Sequence, residues 1–195
     1  MASTPPPPTG LVIVADGAEE METVITVDVL RRAGIDVTVA GLSGKQPIKC
    51  SRGICIVPDV ALDNVVDGRD GGHTFDAVIL PGGLAGAQAM AASELVGHVL
   101  SHQQQAGRLI GAICAAPVAL LEHRIGLTKR LTSHPSKADE LRRDYQYVDD
   151  QRVVVDGQLV TSRGPGTTFE FALAIVDKLL GPEKVTEISG PMVLK

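Results

Sequence analysis

Cys114 is the residue in this chain best placed for covalent chemistry. It falls where an apolar run of strand length, Arg108 to Ile113, hands over to apolar residues at helical spacing, Ala115 to Glu122. The residues two positions away on either side, Ala112 and Ala116, are small. That is the small-x-nucleophile-x-small spacing of a nucleophile elbow, a sharp strand-to-helix turn that lifts a side chain clear of the backbone. Pro117 sits in the first helical turn, where its missing N–H costs nothing. The turn also leaves unpaired helix N–H groups beside the sulfur, and these favour negative charge. A buried cysteine acting as a small hydrophobe is the commoner role for cysteines at large. The spacing here favours the nucleophile.

Other groups could serve that sulfur. Glu22 follows the first apolar run by one helical turn and can reach back towards it, whereas Glu19 and Glu20 fit a solvated helix start. Gly82-Gly83 could offer backbone N–H groups to a developing oxyanion together with the N–H of Ala115, although the pair also suits a plain tight turn. His134 is a candidate acid or base because histidine titrates nearest neutrality. His98 and His102 have the i, i+4 spacing of a metal pair, but Val99 replaces the glutamate of the zinc-protease motif. A solvated helix face is the better reading, and no metal is expected. Cys50 and Cys55 lack Cys-x-x-Cys spacing, which indicates neither a redox pair nor a zinc site.

The elements that must position these groups alternate. Leu11 to Ala15 reads as a central strand, the segment from Glu19 to Gly34 as a helix, and Asp36 to Gly41 as a second strand. That is one parallel crossover unit. Lys45 to Asp63 gives short strand-like pieces, and the acidic, glycine-rich stretch Asp63 to His73 reads as a surface loop. Phe75 to Leu80 is another buried strand, followed by helical patterns to Ala106. After Cys114 come a charged helix around Lys137 to Arg143 and a hairpin turning at Asp156-Gly157. Thr167 to Glu170 then reads as a capping box opening a helix to Leu180, and a short segment from Glu183 to Ile188 follows. This alternation predicts an α/β three-layer sandwich with a mainly parallel sheet. In such sheets ligands sit beyond the carboxyl ends of the strands, and three turns leave such ends: Asp16 to Glu22, Pro81 to Gly83, and Cys114.

Composition excludes other classes. At 195 residues and 44% hydrophobic content the chain fills one domain. Residues 1–9 are a proline-rich tail expected to be disordered, and residues 10–195 form the domain. Aromatics make up only 3% and Trp is absent, so the core is Val, Ile, Leu and Ala, which suits a covered parallel sheet. A net charge of -5 argues against binding driven by nucleic-acid phosphates. No apolar run approaches the ~20 residues of a membrane span. Three cysteines and no signal-peptide layout point to a reducing, cytoplasmic setting.

Several runs resemble the DJ-1/PfpI superfamily: Gly17 to Ile25, Arg31 to Ile35, Val37 to Leu42, Cys50-Ser-Arg52, Leu80-Pro-Gly-Gly83, Ala112 to Pro117 and Thr161 to Ile175. The likeness extends from Leu11 to the end of the chain. It implies a flavodoxin-like fold, a homodimer and a cytoprotective role in oxidative and carbonyl stress, with the cytoplasm, nucleus and mitochondria as compartments. The activities it implies are a cofactor-independent glyoxalase and a deglycase of early glycation adducts; a redox-dependent chaperone is the other. By matching motif, Cys114 becomes nucleophile and oxidation sensor, Glu22 its hydrogen-bond partner and His134 the nearby histidine. Gly83 and Ala115 become the oxyanion donors. Met21, Arg32, Arg52 and Pro165 resemble residues that line the site or the dimer contact, and Cys50 is a second position for redox modification. Two departures stand out. Well-known members have cysteine where Val57 stands, whereas here Cys55 lies two residues earlier, on the same face of a strand. Ala115 replaces the histidine that follows the nucleophile in the superfamily's proteases, which disfavours proteolysis.

The resulting expectation is an enzyme for 2-oxoaldehydes such as methylglyoxal and glyoxal, or for glycated protein groups, needing no metal or nicotinamide. Its rival is a sensor in which Cys114 oxidises to sulfinate. Both need a thiol that ionises readily. Glu22 is therefore expected to be protonated near neutrality, with the Cys114 thiol well below its ordinary value.

Overall fold

The computed structural model describes residues 5–66 and 74–194. Its first half runs β1 (Thr9–Val14), α1 (Glu20–Arg32), β2 (Asp36–Gly41), β3 (Ile48–Lys49), β4 (Cys55–Ile56), β5 (Val60–Ala61), α2 (Leu62–Val66) and β6 (Ala77–Leu80). Then come α3 (Leu84–Ala92), α4 (Glu94–Gln105), β7 (Leu109–Ile113), α5 (Pro117–Glu122), β8 (Arg130–Leu131), α6 (Ala138–Leu141) and β9 (Gln146–Tyr147). The hairpin β10 (Val153–Asp156) and β11 (Leu159–Ser162) precedes α7 (Thr168–Leu180) and α8 (Pro182–Ser189).

Seven strands form the main sheet in the order β10-β11-β7-β6-β1-β2-β5. Every neighbouring pair is parallel except the closing hairpin, β10 with β11. The chain leaves β1 for β2 on one side and returns to β6 on the other, so the strand order reverses between β1 and β6. The carboxyl ends of those two strands therefore flank a crevice.

Strand alternation divides the core in two. Val12, Val14, Ile79 and Ile113 face one layer, which α1, α7 and α8 cover. Leu11, Ile13, Val78, Leu80, Ile110 and Ala112 face the other, which α2, α3, α4, α5 and α6 cover. This is the α/β three-layer sandwich that the alternation predicts, and the flavodoxin-like fold that the resemblance implies. Helix α7 turns Phe171, Ala172, Ile175 and Val176 inward at helical spacing, all fully buried. Each large side chain so buried contributes about 1.5–3 kcal/mol. The face it builds holds α1, and with it Glu22, against the sheet.

Three expectations need correction. Thr9 belongs to β1 rather than to the tail: its N–H and hydroxyl both donate to Asp76 Oδ2, at 2.8 and 3.1 Å. Pro5 to Pro8 have no regular structure, and residues 1–4 lie outside the described residues. The segment expected as a surface loop from Asp63 begins instead as helix α2, anchored by the fully buried Leu62; residues 67–73 lie outside the described residues. The capping box at Thr167 and Glu170 does not form. Thr167 Oγ1 bonds Ser162 Oγ at 2.6 Å and accepts from the Gly164 N–H at 3.1 Å, while Glu170 pairs with Arg152 at 2.8 Å. The hydroxyl is worth more closing the loop that precedes the helix than capping it.

Candidate active site

Cys114 stands directly beyond β7 with φ at 64°, in the left-handed region that non-glycine residues rarely enter. Its N–H donates to the Ser162 carbonyl at 3.0 Å, and its carbonyl accepts the His134 N–H at 2.8 Å. These two bonds tie the strained turn to both neighbouring loops, which is how such strain persists. Helix α5 starts at Pro117, with proline in the first turn as expected. The backbone N–H groups of Gly83 and Ala115 both reach the sulfur.

Glu22 approaches from the opposite wall. Glu19 caps α1 by accepting the Glu22 N–H at 2.8 Å, which fixes where the first turn starts and which way Glu22 points. The Glu22 side chain is fully buried, and Oε2 accepts the Gly82 N–H at 2.7 Å. Its Oε1 has no nitrogen or oxygen partner, while the carboxyl group also hydrogen-bonds the Cys114 thiol. Gly82 is what lets the two groups meet. A Cβ there would lie 2.6 Å from Cys114 Cβ and 2.6 Å from Glu22 Oε2. Gly83 adopts a φ of 86° and faces the Gly17 carbonyl where a side chain would stand.

Electrostatics make the pair interdependent. Burial pushes the Glu22 carboxyl up to about 7, against the hydrogen bonds from Gly82 and Cys114. Burial also pushes the Cys114 thiol up, the Glu22 charge pushes it further, and together they take it to about 12; the Gly83 and Ala115 N–H groups pull the other way. The direction expected for Glu22 is met, with a carboxyl half protonated at pH 7. A thiol held far below its ordinary value is not found, because a half-buried sulfur facing a carboxylate is a poor place for a second negative charge. The two groups are coupled, and the carboxyl loses its proton well before the thiol.

A cavity of about 610 Å³ opens onto the sulfur, and Gly83, Ala115, His134, Arg52 and Pro165 all line it. The structure thus brings together most of the residues singled out from the sequence. His134 is exposed, and its Nδ1 is turned to Ser136, 2.8 Å from that hydroxyl and 3.3 Å from that backbone N–H. Arg32 does not join the cavity. It pairs with Asp28 on α1 and lines a second hollow with Val24, Ile56 and Val57. Met21 is 52% exposed on α1. Cys50 is buried, and burial pushes its thiol up to about 11, which leaves it a poor redox site beside the exposed Cys55. Cys55 and Val57 are both exposed, as strand alternation requires. His98 and His102 lie on the exposed face of α4, and no cluster of metal-ligating side chains exists among the described residues.

Glu20 was expected in solvent and is not there. It is buried, accepting the Ser51 hydroxyl at 2.9 Å and the Arg52 N–H at 2.8 Å. Lys49, Ser136 and Lys137 also line the cavity without any sequence signal to mark them; only their closeness to Cys50 and His134 in the chain hints at it.

The DJ-1/PfpI family model matches residues 10–178. The chain belongs to the DJ-1/PfpI family. Among its relatives is the protein dj-1beta of Drosophila melanogaster, 54% identical over 94% of this chain and 96% of that one. The Parkinson disease protein 7 homolog of Danio rerio is 51% identical over 95% of this chain and 96% of its own length. A Caenorhabditis elegans relative, glutathione-independent glyoxalase DJR-1.2, is 44% identical over 94% of this chain and 95% of its own. The crystal structure of Drosophila melanogaster DJ-1beta superposes with a TM-score of 0.93 at 52% identity, covering 97% of this chain and 99% of that one. No helix among the described residues of this DJ-1/PfpI chain is long and apolar enough to cross a membrane.

Proposed function

We propose that this chain is a cofactor-independent glyoxalase that converts methylglyoxal to lactate through a covalent intermediate on Cys114. The observation that carries the reading is the pairing of that sulfur with Glu22, a buried carboxyl poised at about 7, beneath two converging N–H donors. A base near neutrality is matched to taking a proton at neutral pH. As the sulfur attacks the aldehyde carbon, the thiol proton passes to Glu22 and the new oxyanion takes the Gly83 and Ala115 N–H groups. The hemithioacetal then loses its C1 proton and gains one at C2, through an enediol. This internal exchange oxidises the aldehyde carbon and reduces the ketone carbon, leaving a lactoyl thioester. Water releases lactate and restores the thiol. Glu22 is the proton carrier preferred over His134, because it hydrogen-bonds the thiol directly whereas the His134 Nδ1 is turned to Ser136. The relative named as a glutathione-independent glyoxalase supports this class of reaction. Aldehyde adducts of protein amines and thiols regenerate the same aldehyde carbon when the amine or thiol leaves, and Cys114 can then add to it, which extends the reading to deglycation. The test is lactate formation from methylglyoxal by the reduced protein; no lactate above a buffer blank would overturn it.

A sensor role rests on the same two N–H groups, which would equally hold the oxygens of a sulfinate formed by peroxide. Loss of turnover in step with oxidation at Cys114, followed by mass, is the outcome that reading requires.

A homodimer through α1 and the β3–β4 ribbon completes the proposal. Met21, Val24, Ile54 and Val57 are each more than half exposed on this side, an apolar surface that a monomer rarely leaves bare. Val24→Arg should shift the mass in light scattering from dimer to monomer. A monomer in the unmodified protein at micromolar concentration would contradict it.

A further inference from the structure

The chain carries a net charge of -5, yet Lys49, Arg52 and Lys137 line the Cys114 cavity, with Glu19 as the only acidic residue on its lining among the described residues. The carboxylates nearest these cations are turned to other work. Asp16 accepts the Lys49 backbone N–H at 2.9 Å, Glu19 caps α1, and Glu20 holds the Ser51 hydroxyl and the Arg52 backbone N–H. Among the described residues, neither the Lys49 ammonium nor the Arg52 guanidinium has a carboxylate within ion-pair distance. Lys137 reaches Glu140 at 3.4 Å, but that partner is half exposed and outside the cavity. Glu22, the remaining acid at the site, is half neutral at pH 7 because its carboxyl sits at about that value. The cavity thus carries three cations on its lining, and the Arg52 guanidinium donates to the neutral Ser51 carbonyl at 3.2 Å rather than to an acid.

We infer that Lys49 and Lys137, with Arg52, are specificity residues that favour 2-oxoaldehydes bearing a carboxylate or phosphate over neutral ones. The inference deepens the glyoxalase reading by naming the substrate class. A cationic cleft concentrates anions and raises their encounter rate, and the effect falls as salt rises. The anion docks on the lysines while its aldehyde carbon faces Cys114. A neutral methylglyoxal gains nothing from them.

The test uses alkylation of Cys114 by iodoacetate and iodoacetamide, which share size and leaving group and differ in charge. Rates are read at the Cys114 peptide by mass, with 2-mercaptoethanol as the reference thiol. In the protein, the iodoacetate-to-iodoacetamide ratio should exceed that of the reference by about tenfold at low salt and collapse towards it at high salt. In the double variant Lys49→Gln and Lys137→Gln the excess should largely vanish. A ratio equal to that of the reference overturns the inference, and so does an excess that the double variant keeps. A matched substrate pair, 4-carboxyphenylglyoxal against phenylglyoxal, should show the same preference in kcat/KM. The alkylation ratio needs no turnover, so absence of any lactate from methylglyoxal would sink the glyoxalase reading while leaving the charge preference separately decided.

Discussion

Glu20 and Glu22 sit two residues apart at the start of α1, both buried, and meet opposite fates. Burial raises Glu20, but donors at both of its oxygens outweigh that cost and hold it below the usual carboxylate range. Glu22 receives a single N–H and a thiol, and burial wins. The first carboxylate is therefore a structural anion that fastens the Cys50–Arg52 turn to α1. The second keeps an oxygen without a nitrogen or oxygen donor. Burial sets the cost of charge, and the number of donors decides whether it is met. The raised carboxyl that the proposed mechanism uses follows from donors left out.

The strongest way to break that contrast is at the sulfur. Cys114→Ser should lower methylglyoxal turnover about a thousandfold or more, as removal of a nucleophile does. Its melting temperature should stay within a few degrees, since Ser fits the same elbow. Near-normal turnover in repurified protein would end the covalent reading. Glu22→Ala comes next, with turnover down by about 10²–10⁴-fold. Glu20→Gln should instead leave kcat nearly intact and show its effect as a loosened 50–52 turn, seen in faster amide exchange there. If both variants lose kcat equally, the division between the two carboxylates is wrong.

Much of this site is legible from the chain alone, because an elbow is a local device. The small residues flanking Cys114, the proline that opens α5 and the apolar run of β7 all lie within ten positions, and they imply the strain that the φ of 64° records. Gly83 and Glu22 follow once parallel strands are placed side by side. What the sequence hides depends on partners far away. The burial of Glu20 needs Ser51, some thirty residues on, and the Thr167 hydroxyl is drawn to Gly164 and Ser162 rather than to its own helix. Gly82 reads as a tight turn, and only the packing reveals that a methyl group there would occupy the gap between thiol and carboxyl. The thiol itself misled in one respect. Its N–H donors are visible in the motif, but the depth of its burial is not.

A thiolate titration shows where the pair's first proton comes from. In the unmodified protein, ultraviolet thiolate absorbance should stay low as Glu22 loses its proton near 7 and rise only near 12. Cys114→Ser supplies the blank. Glu22→Ala should bring that rise down while leaving it above the ordinary value, since burial outlasts the carboxylate. Glu22→Gln should titrate lower than Ala, because its amide can donate to the sulfur. Thiolate signal near 7 in the unmodified protein would show instead that the sulfur gives up part of the first proton.

The smallest effect is on stability, and its sign is fixed by the direction of each shift. The folded-state value of Glu22 lies at about 7, above the 4.5 of a free carboxyl, so the native protein holds that proton more tightly than the unfolded chain. Its contribution is fully present below about 4.5 and is lost as pH rises through 7. Between pH 5 and 7.5 the loss amounts to about 2 kcal/mol. Glu22→Gln carries no such proton, so urea unfolding at the two pH values should show a shallower fall in the variant, the other groups cancelling in the difference. Equal slopes would mean that Glu22 titrates like a free carboxyl and that burial has not raised it. Glu20 should behave as the mirror image. Its value is lowered, so it stabilises above the ordinary carboxylate range and loses that contribution in acid. Glu20→Gln should then differ from the unmodified protein near neutrality and converge with it at low pH. The two curves, crossing the same range in opposite senses, distinguish a carboxylate held by its donors from one left short of them.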